Sequence, residues 1–243
     1  MTISSPQEQE FDWRRRSLLM FLATLPAGCI TPLPDPRGRL VPSPAGQPRM
    51  RPPEVGQEWV YALRNVYNQE VLDIITERVV SVGAQVRIQR TGLHAGTLPD
   101  EIQSPWGMIK QDPHWNPPQV FPEPIPLWPL ELNAGWKGHF RREYQVLDNP
   151  GYHYHWFLTM NAREWEEVQV PAGKFRALTF HNFIQFVSFE QYYRLESERT
   201  EDLWLVPEIG RWAIRRSSGI YYTGGKGDDE REDFWEWQLQ SWK

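Results

Sequence analysis

Cysteine is almost absent from this chain of 243 residues, since Cys29 is the only one. A single thiol excludes an internal disulfide, a two-cysteine redox motif and a thiolate zinc site. Long runs of lysine or arginine are missing after residue 30, and the net charge is only −5. Nucleic-acid binders carry clustered positive charge, so the composition argues against a nucleic-acid partner.

Recognisable motifs for cofactors and nucleophiles are also missing. The glycine-rich run 224–227 lacks the spacing of a phosphate-binding loop and leads into acidic residues that would repel phosphate. No G-x-S-x-G elbow occurs anywhere in the sequence. The sequence therefore predicts no cofactor.

The first 28 residues have the layout of a secretory signal peptide. Arg14-Arg15-Arg16 precedes a short apolar stretch, residues 17–26, and small residues then lead to Cys29. An apolar core of this length is typical of a signal peptide and is too short to span a membrane. We expect residues 1–28 to be removed; the alternative is a plain secretory signal in which the cysteine is incidental.

Two motifs in this segment resemble bacterial export signals. Arg15 and Arg16, followed by Ser17 and apolar residues, resemble the twin-arginine signal. The stretch Leu25-Pro26-Ala27-Gly28-Cys29 resembles a lipobox, in which Cys29 would carry the lipid. The resemblance implies a membrane partner through the lipid anchor. Ile30, in place of aspartate, implies an outer-membrane lipoprotein that faces the periplasm.

A proline-rich segment, residues 29–55, follows the cysteine and is nearly free of aromatic residues. This composition predicts an extended tether between the lipid and a folded domain. The alternative is a strap that packs on the surface of that domain, because proline also favours exposed strand edges.

Residues 56–243 alternate between apolar and polar side chains in short runs that glycine and proline interrupt. Trp59, Tyr61 and Leu63 share one face of the first run, as in a strand that is covered on one side. We therefore predict an all-β domain: a single antiparallel, strongly curved sheet, or a half-barrel or sandwich.

Proline is concentrated again in residues 99–130, which contain Trp106, Trp115 and Trp128. The lack of periodicity predicts a long proline- and tryptophan-rich insertion, and loops of that length are often functional. The three indole rings could form a platform for a sugar, a lipid chain or a proline-rich partner. The alternative is that they only anchor the loop to the sheet.

His153 and His155 lie two residues apart on a predicted strand, so both imidazoles face the same side. A zinc or copper site would use such a pair, with His181 or a nearby glutamate as a third ligand. The alternative is two surface histidines beside Phe157.

A group of carboxylates could supply the acid and base of a glycoside hydrolase. The alternative is a solvated strand face that pairs with Arg194 and Arg199. The residues concerned are Glu190, Glu196, Glu198, Glu201 and Asp202.

Two further motifs resemble a pattern of uncharacterised bacterial envelope proteins. The stretch 170–175 reads VPAGKF, and Trp204, Pro207 and Gly210 form a W-x-x-P-x-x-G motif. Together with Gly56 to Tyr61 and Gly135-Trp136, the resemblance covers most of residues 55–220. It implies an all-β periplasmic domain and brings no catalytic residues with it.

These observations together favour a lipid-anchored, non-enzymatic module that binds an apolar ligand or an envelope protein partner as an assembly or maintenance factor. A hydrolase directed at cell-wall or carbohydrate material is the second hypothesis. A metal-binding envelope protein is the third.

Overall fold

The computed structural model describes residues 38–187, 194–223, 229–232 and 234–243. Arg15, Arg16, Cys29, Glu190 and the run 224–227 lie outside the described residues. In chain order the strands are β1 Arg39–Leu40, β2 Glu58–Asn65, β3 Val71–Ser81, β4 Val86–Gly92, β5 Gly96–Gln103, β6 Met108–Asp112, β7 Gln119–Pro126, β8 Lys137–Val146, β9 Asn149–Val170, β10 Gly173–Val187, β11 Arg194–Val206, β12 Arg211–Thr223, β13 Glu230–Arg231 and β14 Trp235–Trp242.

Twelve of these strands form a closed antiparallel barrel. The chain runs up and down from β2 to β12, with each strand hydrogen-bonded to the one before it. Strand β14 then returns to β2, with Trp235 opposite Asn65 and Trp242 opposite Trp59. The two short strands β1 and β13 are additions that pair with β9 and β12.

The prediction of an all-β domain is confirmed, but a half-barrel, an open curved sheet and a sandwich are each wrong, because the sheet closes on itself. Closure pairs the backbone groups that the edges of an open sheet would leave unpaired. The pairing that closes the barrel joins the first and last strands of the domain, and the alternation within either strand does not reveal its partner.

The prediction of a proline-rich insertion at residues 99–130 is also wrong, because this stretch forms part of the barrel wall as β5, β6 and β7. Proline has no N–H to donate and is tolerated in sheets where pairing is sparse. Pairing here is sparse: β5 and β6 share two residue pairs, and so do β7 and β8. Short, bulged ladders hide the two-residue period that identifies a strand.

The two ends of the barrel differ in what covers them. Residues 38–55 run along the wall from β1 and cross one end, which we call the strap end. There the Arg51 N–H donates to the Pro207 carbonyl at 2.9 Å, and Trp106 Nε1 donates to the Arg51 carbonyl at 3.1 Å. From residue 38 onward the proline-rich segment is therefore bound to the barrel. The strap end carries the turns 82–85, 104–107, 127–136, 171–172 and 207–210.

The opposite end, which we call the rim end, carries the turns 66–70, 93–95, 113–118 and 147–148.

Among the residues described, no helix is long and apolar enough to cross a membrane. The largest apolar side chains that are fully buried include Trp59, Trp156, Trp212, Tyr61, Tyr144, Phe121 and Phe180.

The two sequence motifs form two turns at the strap end. Pro171-Ala172 joins β9 to β10 as a two-residue hairpin, and Gly173 follows with φ +136°. Pro207–Ile209 forms one turn of 3-10 helix, and Gly210 ends it in the left-handed conformation with φ +70°. Glycine adopts this backbone without the steric cost that other residues incur.

Candidate functional site

The interior of the barrel contains a network of charged side chains, which we call the lumen network. It combines four arginines with four carboxylates, and all eight residues are buried. Because they occupy inward positions on six different strands, the network ties the walls together across the lumen. Its members are Glu77, Arg90, Glu101, Asp112, Arg199, Glu201, Arg211 and Arg215.

Arg211 lies at the centre of this network. Its Nε and Nη2 donate to Glu77 Oε2 at 2.8 and 2.5 Å, and its Nη1 and Nη2 donate to the two oxygens of Glu101 at 2.9 and 2.6 Å. The guanidinium also lies 3.9 Å from the ring centroid of Trp212. Arginine binds carboxylates most strongly when its planar guanidinium donates two hydrogen bonds to each of them, and here it also stacks on an aromatic ring.

The turn 207–210 places Arg211 in the lumen. Ile209, next to Gly210, offers its carbonyl to Trp59 Nε1 at 2.9 Å and to Gln57 Nε2 at 3.1 Å. Tyr61 donates its hydroxyl to the Trp212 carbonyl at 2.9 Å. The start of β12 is therefore fixed on β2 from both sides, and Arg211 enters the lumen in a single orientation.

The loop between β6 and β7, residues 113–118, folds into the lumen from the rim end. His114 lies with Nδ1 2.9 Å from Asp112 Oδ1 and Nε2 3.1 Å from Glu77 Oε1. The edge of its ring meets Trp212, with 5.3 Å between ring centroids. The next residue, Trp115, lies under the guanidinium of Arg199 at 4.1 Å. The loop therefore acts as a plug that bridges opposite walls.

The electrostatics of the lumen favour the ionised forms of Glu77 and Asp112. Burial alone would raise the pKa of Glu77, but the charge of Arg211 and the hydrogen bond from His114 hold that pKa well below its usual value. The pKa of Asp112 is also lowered, because Arg215 and His114 outweigh the effect of burial. A catalytic acid needs a pKa near the working pH, so these carboxylates are poor candidates for general acids.

The predicted aromatic platform is divided between the two ends of the barrel. Trp106 and Trp128 pack edge to face at the strap end, with 5.3 Å between ring centroids, whereas Trp115 is buried in the plug loop. Gly107 makes room for this pair, because a Cβ there would lie 2.7 Å from Trp128 Nε1. Ligand binding by these tryptophans stays a prediction, and their placement favours a packing role.

The three histidines of the predicted metal site do not converge. His153 is hydrogen-bonded to Gln145 and paired with Glu143 near the rim end, while His181 Nδ1 lies 2.8 Å from Asp202 Oδ1. On β9, His155 is six residues from Asn161, the partner of His181. That spacing corresponds to about 20 Å along a strand. Within the described part of the chain, no three potential ligands are grouped to hold a metal ion.

Among the described carboxylates proposed for a hydrolase, Glu196, Glu198 and Asp202 lie on the outer face of β11, and Glu201 lies on the inner face. Glu201 points into the lumen, 2.7 Å from Arg215 Nη2. Asp202 points outward and pairs with His181, and Glu198 accepts a hydrogen bond from Tyr222 at 3.0 Å. Described residues of this group therefore do not face one another as an acid and a base across a groove.

Sequence reasoning missed the lumen network, although a signal was present. On β3, Glu77 lies between Ile75 and Val79 on one face, and on β4 Arg90 continues the face of Val86 and Ile88. A charged residue in register with buried apolar ones indicates a charge that points into the core. Its partners come from distant strands, so the pairing itself could not be predicted.

A set of exposed apolar side chains surrounds the rim end. Tyr67 is 66% exposed, Leu93 71% and Tyr152 64%, and each lies in or beside a turn of that end. Isolated exposed apolar residues are ordinary, whereas a set at one end of a molecule suggests an interaction surface. Val71, Leu147 and Tyr222 are further exposed members of the same end.

Comparison with known proteins identifies the fold. No protein-family model matches the chain. No curated protein matches it in sequence. A candidate lipoprotein from Parabacteroides distasonis has a TM-score of 0.52 at 12% identity, with 82% of this chain and 100% of that chain covered. A candidate exported protein with a YmcC-like fold from Bacteroides fragilis has a TM-score of 0.51 at 13% identity, with 81% and 99% covered. The chain therefore shares the fold of these two proteins.

Proposed function

We propose that this chain is a lipid-anchored module of the bacterial envelope that binds a protein partner at its rim end without catalysing a reaction. Arg15 and Arg16 would direct its export, and Cys29 would carry the lipid that holds it to the outer membrane on the periplasmic side. Support comes from its own N-terminal motifs. One protein with the same fold is described as a candidate lipoprotein and another as a candidate exported protein.

The lumen argues for binding over catalysis. Its carboxylates form ion pairs with Arg211 and Arg215, and the pKa values of Glu77 and Asp112 are lowered. An ionised carboxylate that is already held by arginine neither donates a proton nor attacks a substrate readily. The lumen contacts therefore serve to hold the barrel together.

The same lumen favours a protein partner over an apolar ligand. An apolar ligand inside the barrel would have to lie against buried charges, which cost free energy when their partners are displaced. Among the described residues, the exposed tyrosines lie outside the lumen and toward the rim end. The single observation that carries the proposal is this set of exposed apolar side chains, around Tyr67, Leu93 and Tyr152.

Site-specific photo-crosslinking in the native cell tests the proposal. A photoreactive amino acid is placed at Tyr67 or at Tyr152, and a matched control is placed at Arg78, which is exposed on the barrel wall. We expect both rim positions to form the same crosslinked species with an envelope protein, and Arg78 to form none.

The anchor is tested in the same cells with Cys29→Ala. We expect this variant to lose lipid labelling, to move to the soluble fraction and to lose the rim crosslink several-fold. Membrane association that persists without the cysteine would refute the lipid anchor. Identical crosslinks from the rim and from Arg78 would refute the rim as a binding surface.

A further inference from the structure

The described part of the chain begins at Gly38, next to β1. Strand β1 is antiparallel to β9, with Arg39 opposite Glu167 and Leu40 opposite Glu166. Because β9 runs from the rim end to the strap end, β1 runs in the opposite sense. The Gly38 N–H is fixed by Glu166 Oε2 at 2.8 Å. Gly38, the first described residue, therefore lies on the strap-end side of β1.

Little chain separates Gly38 from the proposed lipid. Residues 30–37 are the only ones between Cys29 and Gly38. Nine Cα-to-Cα steps reach at most about 32 Å when fully extended. Residues 38–55 add nothing to this reach, because they are bound to the barrel. If Cys29 is acylated, the point where the chain joins the barrel therefore lies within about 32 Å of the bilayer surface.

The strap end presents an apolar side chain in a fixed position. Leu130 lies in the turn 127–136 and is 98% exposed. Trp128 and Leu132, two residues before and after it, are both buried in the core, so the backbone between them is held in place. Val55, shortly before β2, and Val82, directly after β3, are exposed at the same end.

We propose that the strap end rests on the membrane that holds the lipid, with Leu130 inserted among the acyl chains. The inference rests on the proposed acylation of Cys29 and goes beyond it, because it fixes the orientation of the barrel. Burial of one leucine in an apolar phase favours association on the order of 10- to 100-fold. A second apolar contact beside a lipid chain is the arrangement that stabilises peripheral attachment. The rim end then faces away from the membrane.

Cysteine labelling tests this orientation, because an acylated Cys29 leaves the native chain without a free thiol. Leu130→Cys is prepared in the lipidated full-length protein, and Leu93→Cys is its matched control, an exposed leucine at the rim end. Each is labelled with an environment-sensitive fluorophore and reconstituted in vesicles of phosphatidylethanolamine and phosphatidylglycerol that contain brominated acyl chains. We expect several-fold stronger quenching and a blue shift at position 130, and neither at position 93.

Each other outcome overturns the proposal in a distinguishable way. Equal and weak quenching at both positions, with Cys29 acylated by mass spectrometry of the N-terminal peptide, refutes the orientation and leaves the anchor intact. A non-acylated Cys29 refutes the anchor and with it the orientation. Disulfide-linked dimers through position 130, without lipid quenching, would show that a second copy covers this end.

Discussion

At the scale of single residues, the interior depends most on Arg211. Its guanidinium is fully buried, and two carboxylates accept its hydrogen bonds, so its charge is paired where water cannot solvate it. Burial alone would lower its pKa, but Glu101 and Glu77 hold that pKa above the usual value. Ion pairs of this kind add little net stability compared with an apolar core, yet the loss of one partner is costly.

We predict that Arg211→Met destabilises the domain by about 3–5 kcal/mol, because the buried carboxylate of Glu101 loses its arginine partner and Glu77 is left with Arg90 and His114. The measurement is the midpoint of urea unfolding, followed by tryptophan fluorescence. Arg39→Met is the matched control, since the Arg39 side chain is 76% exposed and contacts only one carboxylate in the described residues, Glu167. The control should leave the midpoint essentially unchanged. Equal midpoints for the two variants would contradict a supporting role for the lumen network.

At the scale of elements, the turn 207–210 fixes the strap to the barrel. Gly210 adopts φ +70°, and a Cβ on it would lie 2.9 Å from the Arg51 carbonyl. The position therefore requires glycine for two reasons, its backbone conformation and the close approach of the strap. The strap leads directly into β2. The side chains of Trp59 and Tyr61 on β2 contact the start of β12.

Gly210→Ala separates these two reasons when it is compared with Gly96→Ala. Gly96 has the same φ of +70°, but a Cβ on it would have no atom within 4 Å. Both variants should lose about 1–2 kcal/mol from the left-handed backbone. Only Gly210→Ala should also loosen the strap, with faster hydrogen exchange at the Arg51 amide, which donates to Pro207. Equal exchange at Arg51 in the two variants would show that the close approach does not matter.

Individual strands can be predicted from the sequence where apolar and polar residues alternate regularly. Trp59 and Tyr61 alternate cleanly, and the strand that contains them is where the sequence predicts it. The hairpin at Pro171-Ala172 also follows from its turn residues. For the stretch 99–130 the sequence predicts a loop in place of strands, because proline and short ladders remove the alternation by which a strand is recognised.

At the scale of the whole molecule, the sequence predicts the class of fold but neither its closure nor its interior. Strand β14 pairs with β2 across most of the domain, and Arg211 meets Glu77 across 134 residues. Such contacts depend on how strands from distant parts of the sequence align with each other. The sequence of a single chain does not indicate that alignment. His181 lies apart from His153, and Trp115 lies apart from Trp106 and Trp128, because the pattern within one strand does not show which strands become neighbours.

Closure makes a prediction for the entire sheet. A closed barrel has no edge strands, so peptides that cover β2 and β14 should be protected from hydrogen exchange about as well as peptides from β10 and β11, which share ten residue pairs. Peptides from β5 to β7 should exchange earlier, because their ladders are short. Hydrogen exchange followed by mass spectrometry measures both, with the turn 82–85, which is exposed throughout, as the unprotected reference. If β2 and β14 exchanged as fast as that turn, they would be the edges of an open sheet, and the walls around Arg211 would not be joined as described.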